Sequence, residues 1–275
     1  MKINPLVSVI VTTYNRKELL KETLDSILNQ TYKNFELIVV DNYSDYDYLY
    51  HIKSFNDDRI RPFQNANNGI IAVNRNFGIK QAKGEYIAFC DDDDLWLPQK
   101  LYTQIFLIED SGHGMVYTMQ KQFGAVNIFS NYFGIGPLPF KQNTSTAALL
   151  NVNCIPNSSV VIKKSILDTT GYLDESKSFV AFEDNDLWIR VSKIIDINFI
   201  PEVLVLHRVH KFNIYNRKTD FKRQEELRKK YFLPNKKRLQ MQILKANKIY
   251  FLLRNIFNII FEITFFRVYR KYPVR

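Results

Sequence analysis

Four consecutive aspartates, Asp91 to Asp94, directly follow the short apolar run Tyr86 to Cys90. Adjacent carboxylates repel one another, and this repulsion raises their pKa or destabilises the fold unless a cation offsets it. The apolar run is typical of a buried strand, and open α/β sheets bind their ligands at the carboxyl ends of strands. Carboxylate oxygens suit Mg²⁺ or Mn²⁺, which usually bind through one or two carboxylates together with substrate phosphates. The stretch therefore predicts half of a metal site, and a solvated acidic turn is the alternative.

The segments around the aspartates predict the sheet that would position them. Runs rich in β-branched and apolar residues at 7–11 and 35–40 are typical of strands buried on both faces, and 60–63 is a shorter candidate. Residues 17–29 and about 70–82 are predicted helices, and Lys83-Gly84 is the predicted C-cap of the second. Alternating strands and helices predict the α/β class, with a mostly parallel central sheet flanked by helices.

The loops at the carboxyl edge of this sheet carry a set of polar and aromatic side chains that suits a nucleoside diphosphate. A base could stack on Tyr14 and hydrogen-bond to Asp41 or Asn42, and Arg75 could offset phosphate charge. Taken singly, Tyr14 or Arg75 is more often structural, and only the shared sheet edge favours a binding role. The sequence has no GxGxxG and no GxxxxGK[ST], which argues against a dinucleotide-binding Rossmann site and a P-loop.

Composition narrows the class of protein. The chain has 275 residues and is 46% hydrophobic, which excludes a mostly disordered protein. Its two cysteines, Cys90 and Cys154, have no CxxC spacing, so free thiols in a reducing compartment are expected. No signal peptide is evident at the N-terminus, and a cytoplasmic location is the expectation.

The net charge of +10 comes entirely from the C-terminal segment. Residues 211–275 contain 18 Lys/Arg and 4 Asp/Glu, whereas residues 1–210 contain 20 and 24. The tail, 216–275, joins charged stretches to the largely apolar run 249–268, which predicts a helical extension lying on an anionic membrane surface. Packing on the rest of the protein or a homo-oligomer interface is the alternative, and the acidic body argues against nucleic-acid binding.

Several motifs in order carry a resemblance to a known family. They are Val-Ser-Val-Ile-Val-Thr-Thr-Tyr-Asn-Arg at 7–16 and the segments Asp25 to Asp41, Asn74 to Ile79 and Gly84 to Asp94. Together they resemble glycosyltransferase family 2, of the bacterial polysaccharide type, over about residues 6–210. The resemblance implies an inverting enzyme of GT-A fold, a nucleotide-sugar donor, and a divalent metal, Mn²⁺ or Mg²⁺, on a D-x-D element. It also implies a carboxylate base in the second half of the chain.

On this resemblance, Asp91 and Asp92 reach the ribose or the metal, and Asp93 is the main metal ligand. Thr12, Tyr14 and Arg75 fall on nucleotide-contacting positions. One departure concerns recognition of the nucleotide base. Many family members have two aspartates where this chain has Asp41-Asn42. A uridine donor is the expectation, although Asn42 replaces the aspartate that commonly contacts uracil.

The segment Ala181 to Val191 combines acidic residues with an apolar, helix-like pattern. Read alone, Asp184 and Asp186 would stabilise a helix N-terminus. The resemblance places the catalytic base here instead, with Asp184 as the base, Glu183 supporting it and Trp188 packing beneath.

The predicted last strand, Val203 to His210, ends in basic and imidazole groups. The family often has a similar Arg-x-His, so His210 is a candidate third metal ligand, against the alternative of an ordinary surface histidine. His207 is a weaker candidate.

The sequence therefore predicts a nucleotide-sugar-binding half at 1–107, an acceptor-binding and catalytic half at 108–215, and the tail. The predicted function is metal-dependent inverting transfer of a sugar, from a UDP-sugar donor to a saccharide or lipid-linked saccharide acceptor, in surface polysaccharide synthesis. The alternatives are a non-catalytic nucleotide-sugar-binding module and a sugar nucleotidyltransferase, which would release pyrophosphate.

Overall fold

The computed structural model describes residues 4–125, 143–144, 146, 149, 153, 155–210, 226–227 and 229–231. Its strands are β1 (Val7–Thr13), β2 (Phe35–Asp41), β3 (Ile60–Gln64), β4 (Tyr86–Asp91), β5 (Leu95–Trp96), β6 (Met115–Gly124), β7 (Asn143–Thr144), β8 (Val161–Lys163) and β9 (Ile197–Val209). Its helices are α1 (Lys17–Leu28), α2 (Tyr48–Lys53), α3 (Ile71–Gln81), α4 (Lys100–Ser111), α5 (Lys164–Thr170) and α6 (Glu183–Val191).

The first half of the chain forms four parallel strands in the order β3-β2-β1-β4. The register places Thr13 opposite Asp41 and Thr12 opposite Asp91. The carboxyl ends of β1, β2 and β4 are therefore level, and the loops that follow them meet at one edge. This is the predicted arrangement, and the α/β class with a mostly parallel sheet is confirmed.

The second half extends the same sheet. β8 pairs antiparallel with both β4 and β6, while the long strand β9 runs parallel to β6. The antiparallel pairings all involve the short strands β5, β7 and β8. Because β9 ends near the β5 segment, the end of the described sheet lies beside the four aspartates.

The core consists of two apolar layers on the two faces of the sheet. Ile10 of β1 packs in one layer with Phe89 and Trp188, whereas Val9 of the same strand packs in the other with Leu24 of α1. All seven residues of β1 are buried, which explains why its sequence is a continuous apolar run rather than an alternating one.

Two predictions about the chain between elements were wrong. The helix α3 ends at Gln81, and its C-cap is Ala82 in an extended conformation, not Lys83-Gly84. Gly84 is required for a different reason, since a Cβ there would lie 2.6 Å from the Ser8 backbone nitrogen. The sequence of 113–150, which is rich in Gly, Phe and Asn, predicts a loop around the acceptor pocket, but the described part of this region contains the ten-residue strand β6.

Other predictions fall largely outside the described residues. Residues 134–139 and Cys154 are not described, and of the predicted helical tail at 216–275 only 226–227 and 229–231 are. Among the helices that are described, none has the length and apolarity needed to cross a membrane.

Candidate active site

The first two aspartates of the acidic cluster are held by arginines. Asp91, the last residue of β4, accepts hydrogen bonds from Arg75 Nη2 at 2.7 Å and from Asn157 Nδ2 at 3.0 Å. Burial by itself raises the pKa of Asp91, but the Arg75 charge and hydrogen bond outweigh it, and the net shift is downward. Asp92 accepts from Thr13 Oγ1 and from Arg16 Nη1, both at 2.8 Å. Its burial prevails over these contacts and raises its pKa to about 6.

The next two aspartates contact the end of β9. Asp93 Oδ2 lies 2.8 Å from His210 Nε2 and 3.0 Å from Arg16 Nη1. Asp94 is almost completely buried, at 2% exposure, and its Oδ1 lies 3.0 Å from His207 Nδ1. Burial raises the pKa of Asp94 despite this contact. Burial lowers the pKa of the His207 imidazole, but the nearby carboxylates, Asp94 foremost, together outweigh it, and the net shift is upward.

Arg75 connects the aspartate cluster to the helix α6. Its Nη2 contacts Asp91, and its Nη1 donates to Glu183 Oε1 at 2.7 Å. Arg75 and Glu183 are both buried, 108 residues apart in sequence. A bidentate guanidinium is suited to holding two carboxylates in fixed geometry. This pair therefore holds the first turn of α6 against the carboxyl edge of the sheet.

Asp184 lies in the first turn of α6, and among the described residues its carboxylate accepts hydrogen bonds only from neutral groups. Asn153 Nδ2 donates to Oδ2 at 2.9 Å, and the Asn185 backbone nitrogen donates to Oδ1 at 2.7 Å. Burial and the neighbouring Glu183 carboxylate raise the pKa of Asp184 to about 7. A carboxylate with this pKa can accept a proton near neutral pH.

One cleft of about 420 Å³ contains Asp184 and part of the aspartate cluster. Its lining includes Asp91, Asp94, Glu183 and Asp184. His207 also lines it. The predicted base therefore shares one cavity with Asp91 and Asp94, whereas the predicted metal ligands Asp93 and His210 are not among its lining residues.

The residues predicted to bind the nucleotide base lie at the ends of β1 and β2. Thr12 is buried in β1, whereas Tyr14, which follows the last residue of β1, is 51% exposed. Asp41 is fully buried and accepts hydrogen bonds from Gln64 and from the backbone and hydroxyl of Ser44. Asn42 Oδ1 accepts from the Asn67 backbone nitrogen at 2.9 Å. Asp41 thus holds a loop together, while Tyr14 is available for stacking.

The donor set at the cluster suits a divalent cation. Asp93 Oδ2 and His210 Nε2 face each other at hydrogen-bonding distance, and both side chains are partly exposed. A carboxylate and an imidazole are acceptable ligands for Mn²⁺, which commonly takes its remaining ligands from water and phosphate. Within the described part of the chain, no three His, Cys, Asp or Glu side chains converge as a metal cluster. The residues fit a metal held by two protein ligands and completed by a bound diphosphate.

Several residues of this site were missed by sequence reasoning. Arg16 bridges Asp92 and Asp93, and Ser158 donates to Asp94 Oδ2 at 2.6 Å. Asn157 also lines the cleft, and so does His207, which was not missed but was predicted only as the weaker of the two histidine candidates. Only Arg16 had a usable signal, since it directly follows the predicted strand-end loop.

The chain is similar in sequence to known glycosyltransferases. The family model described as glycosyl transferase family 2 matches residues 8–170. An Escherichia coli relative, the UDP-Glc:alpha-D-GlcNAc-diphosphoundecaprenol beta-1,3-glucosyltransferase WfaP, is 34% identical over 209 residues, covering 74% of this chain and 78% of that protein.

Two solved structures are similar in fold. The mannosyltransferase PcManGT from Pyrobaculum calidifontis, in complex with GDP-Man and Mn²⁺, has a TM-score of 0.66 and 18% identity, covering 100% of this chain and 77% of that chain. S. aureus TarS in complex with UDP has a TM-score of 0.63 and 19% identity, covering 80% of this chain and 64% of that chain. At these identities the two structures show the fold alone, which is the GT-A fold. With a family model matching more than half of the chain and a relative above 30% identity over three quarters of it, this protein is a glycosyltransferase and belongs to glycosyltransferase family 2.

Proposed function

We propose that this protein transfers a sugar, with inversion, from a UDP-sugar to a saccharide or lipid-linked saccharide acceptor. The observation that carries the proposal is the single cleft that Asp184 lines together with Asp91 and Asp94. A nucleotide held at the sheet edge would project its sugar toward Asp184, as a transfer reaction requires.

The donor site is formed by the loops after β1, β2 and β4. Tyr14 stacks on the base, Thr12, Asp41 and Asn42 surround it, and Asp91 and Asp92 lie where the ribose or the metal would bind. The proposal of a uridine nucleotide draws support from the UDP complex of TarS and from the UDP-Glc donor of the E. coli relative. Asn42 is the residue that bears on base choice, because its side-chain oxygen is already engaged by Asn67.

Asp184 acts as the general base. It removes the proton from an acceptor hydroxyl as that oxygen forms a bond to the anomeric carbon. The bond between the anomeric carbon and the diphosphate oxygen breaks in the same step, so the nucleoside diphosphate leaves with the bonding electrons. One displacement inverts the anomeric centre, and an α-linked donor gives a β-linked product. The raised pKa of Asp184 suits this role, since the proton is later released to solvent.

Asp93 and His210 would hold a divalent cation, Mn²⁺ or Mg²⁺. When bound, the cation would stabilise the charge that develops on the leaving diphosphate. The Mn²⁺ complex of the Pyrobaculum relative supports this assignment. Arg75 contacts both Asp91 and Glu183, so it holds the first turn of α6 next to the aspartate cluster.

The acceptor proposal rests on the second half of the chain and on the relatives. The E. coli relative is named for a GlcNAc-diphosphoundecaprenol acceptor, which favours a lipid-linked saccharide here. A lipid-linked acceptor would place the enzyme at the inner face of the cytoplasmic membrane, with the basic tail at 216–275 as the contact. In this proposal residues 1–107 bind the nucleotide sugar and residues 108–215 bind the acceptor. Self-association of the protein stays a prediction.

The test is transfer from UDP-glucose to a synthetic GlcNAc-diphospholipid by the wild type and by Asp184→Asn. We expect the substitution to lower kcat by about 100- to 10,000-fold, because general-base catalysis contributes that much. UDP affinity, measured by calorimetry, should stay close to that of the wild type. Asp196→Asn is the matched control, since it removes an exposed carboxylate 12 residues away. Near-normal turnover by Asp184→Asn would overturn the base assignment.

A further inference from the structure

Two described residues of the basic C-terminal tail, Lys230 and Tyr231, contact α6, the helix that carries Asp184. Lys230 Nζ lies 2.8 Å from Asp186 Oδ1, and the Tyr231 hydroxyl donates to the same oxygen at 2.6 Å. Asp186 is fully buried and lies two residues after Asp184 in the first turn of α6. Nearby, Leu227 is buried in the core layer that contains Trp188. The segment at 226–231 is therefore seated on α6 through its described residues.

The second oxygen of Asp186 is held from the other direction. Arg190 Nε donates to Asp186 Oδ2 at 2.9 Å, and its guanidinium also donates to the backbone oxygens of Thr170, Gly171 and Tyr172. Both oxygens of a buried carboxylate are thus fixed, one by α6 itself and one by the C-terminal segment. Hydrogen bonds to charged groups are stronger than those between neutral groups, so such a cluster defines one position for the helix turn.

Lys230 also contacts the chain that leads into α6. Its Nζ lies 3.0 Å from Asp174 Oδ2 and 4.3 Å from the centre of the Phe179 ring. Val180 and Ala181, which follow Phe179, line the cleft beside Asp184. Ala181 has a φ of 68°, a left-handed conformation that persists only where the surrounding structure enforces it. Lys230 thus contacts both ends of the segment 179–186, which contains Asp184.

We infer that Lys230 and Tyr231 are positioning residues for the transfer reaction, which hold the first turn of α6 so that the Asp184 carboxylate faces the donor. The inference rests on the proposed function, because it gives Asp184 the role of base. Lys230 is 36% exposed, so its ion pairs are screened and contribute modestly to overall stability. Its main effect is on the geometry of the base, and through it the basic C-terminal segment is linked to catalysis.

The experiment compares Lys230→Met, Lys230→Arg and Tyr231→Phe in the full-length protein. We expect kcat to fall roughly tenfold in Lys230→Met and Tyr231→Phe, since a misplacement of about 1 Å can cost about 100-fold in rate. The KM for the donor should change by less than about twofold, because the nucleotide edge is untouched. Lys230→Arg should recover most of the lost kcat. Lys53→Met, which removes an exposed lysine on α2, is the control and should match the wild type.

The outcomes separate this inference from the proposed function. Tyr231→Phe removes a single oxygen, so it decides the matter even where Lys230→Met does not fold. A normal kcat in folded Tyr231→Phe and Lys230→Met, beside an inactive Asp184→Asn, would overturn the positioning role alone. A wild type without transfer activity, or an active Asp184→Asn, would overturn the proposed function and the positioning role together.

Discussion

Asp91 and Asp184 are carboxylates that line the same cleft, and they differ in their contact with Arg75. Asp91 takes a direct hydrogen bond from Arg75 Nη2, whereas the other guanidinium nitrogen goes to Glu183, and among the described residues no cationic side chain donates a hydrogen bond to Asp184. The pKa of Asp91 is lowered as a result, while burial and the Glu183 charge raise that of Asp184 to about 7. The same residue type thus suits two tasks, because an ionised carboxylate binds cations and ribose while one that titrates near neutrality accepts a proton.

Arg75→Met tests the residue that joins the two sides. We expect it to lower the free energy of unfolding by about 3–5 kcal/mol near pH 7, since it leaves the buried Glu183 carboxylate without its partner. The deficit should shrink as pH falls through the acidic range, because Asp91 has a lowered pKa and its contribution is lost once it is protonated. Urea unfolding at several pH values measures both effects.

Arg59→Gln is the control for that prediction. Arg59 pairs with Asp57 at a partly exposed position, so its loss should cost about 0–1 kcal/mol. Equal losses in Arg59→Gln and Arg75→Met would show that Arg75 makes an ordinary surface pair and that the two sides of the cleft are not held by it.

Arg16→Gln tests the aspartates next to the proposed cation site, and its expected effect is smaller than that of Arg75→Met. Arg16 Nη1 lies between Asp92 and Asp93, at the oxygens that a metal would use. Because a half-exposed ion pair contributes at most about 1 kcal/mol, its removal should raise Mn²⁺ affinity by up to about fivefold. Calorimetry with Mn²⁺ and no nucleotide measures this. Asp93→Asn should instead weaken Mn²⁺ binding, because it removes a proposed ligand. Weaker Mn²⁺ binding in Arg16→Gln would contradict the idea that Arg16 competes with the cation for Asp92 and Asp93.

Much of the sheet edge was predictable from the sequence. The buried runs that became β1, β2 and β4 are continuous and apolar, so their ends, and with them Thr12, Asp41 and Asp91, could be located within one or two residues. Once the strands are parallel, their carboxyl ends must meet. Local pattern and topology together sufficed for this side of the cleft.

The catalytic side was much less predictable, because its contacts join residues far apart in sequence. Nothing local indicated that Glu183 pairs with Arg75, 108 residues away. The first turn of α6 reads as an ordinary acidic helix start, and only the resemblance singled out Asp184 from Asp186. The structure separates the two, since Asp186 is held by Lys230, Tyr231 and Arg190 while Asp184 lines the cleft.

The pH dependence of transfer tests the central claim most directly. Because the base must be deprotonated and its pKa is raised to about 7, kcat/KM for the acceptor at saturating donor should rise as pH increases and level off above about pH 7. The residual rate of Asp184→Asn should lack this acidic limb. A wild-type profile that stays flat from about pH 5 to about pH 8, or a limb that persists in Asp184→Asn, would contradict Asp184 as the base.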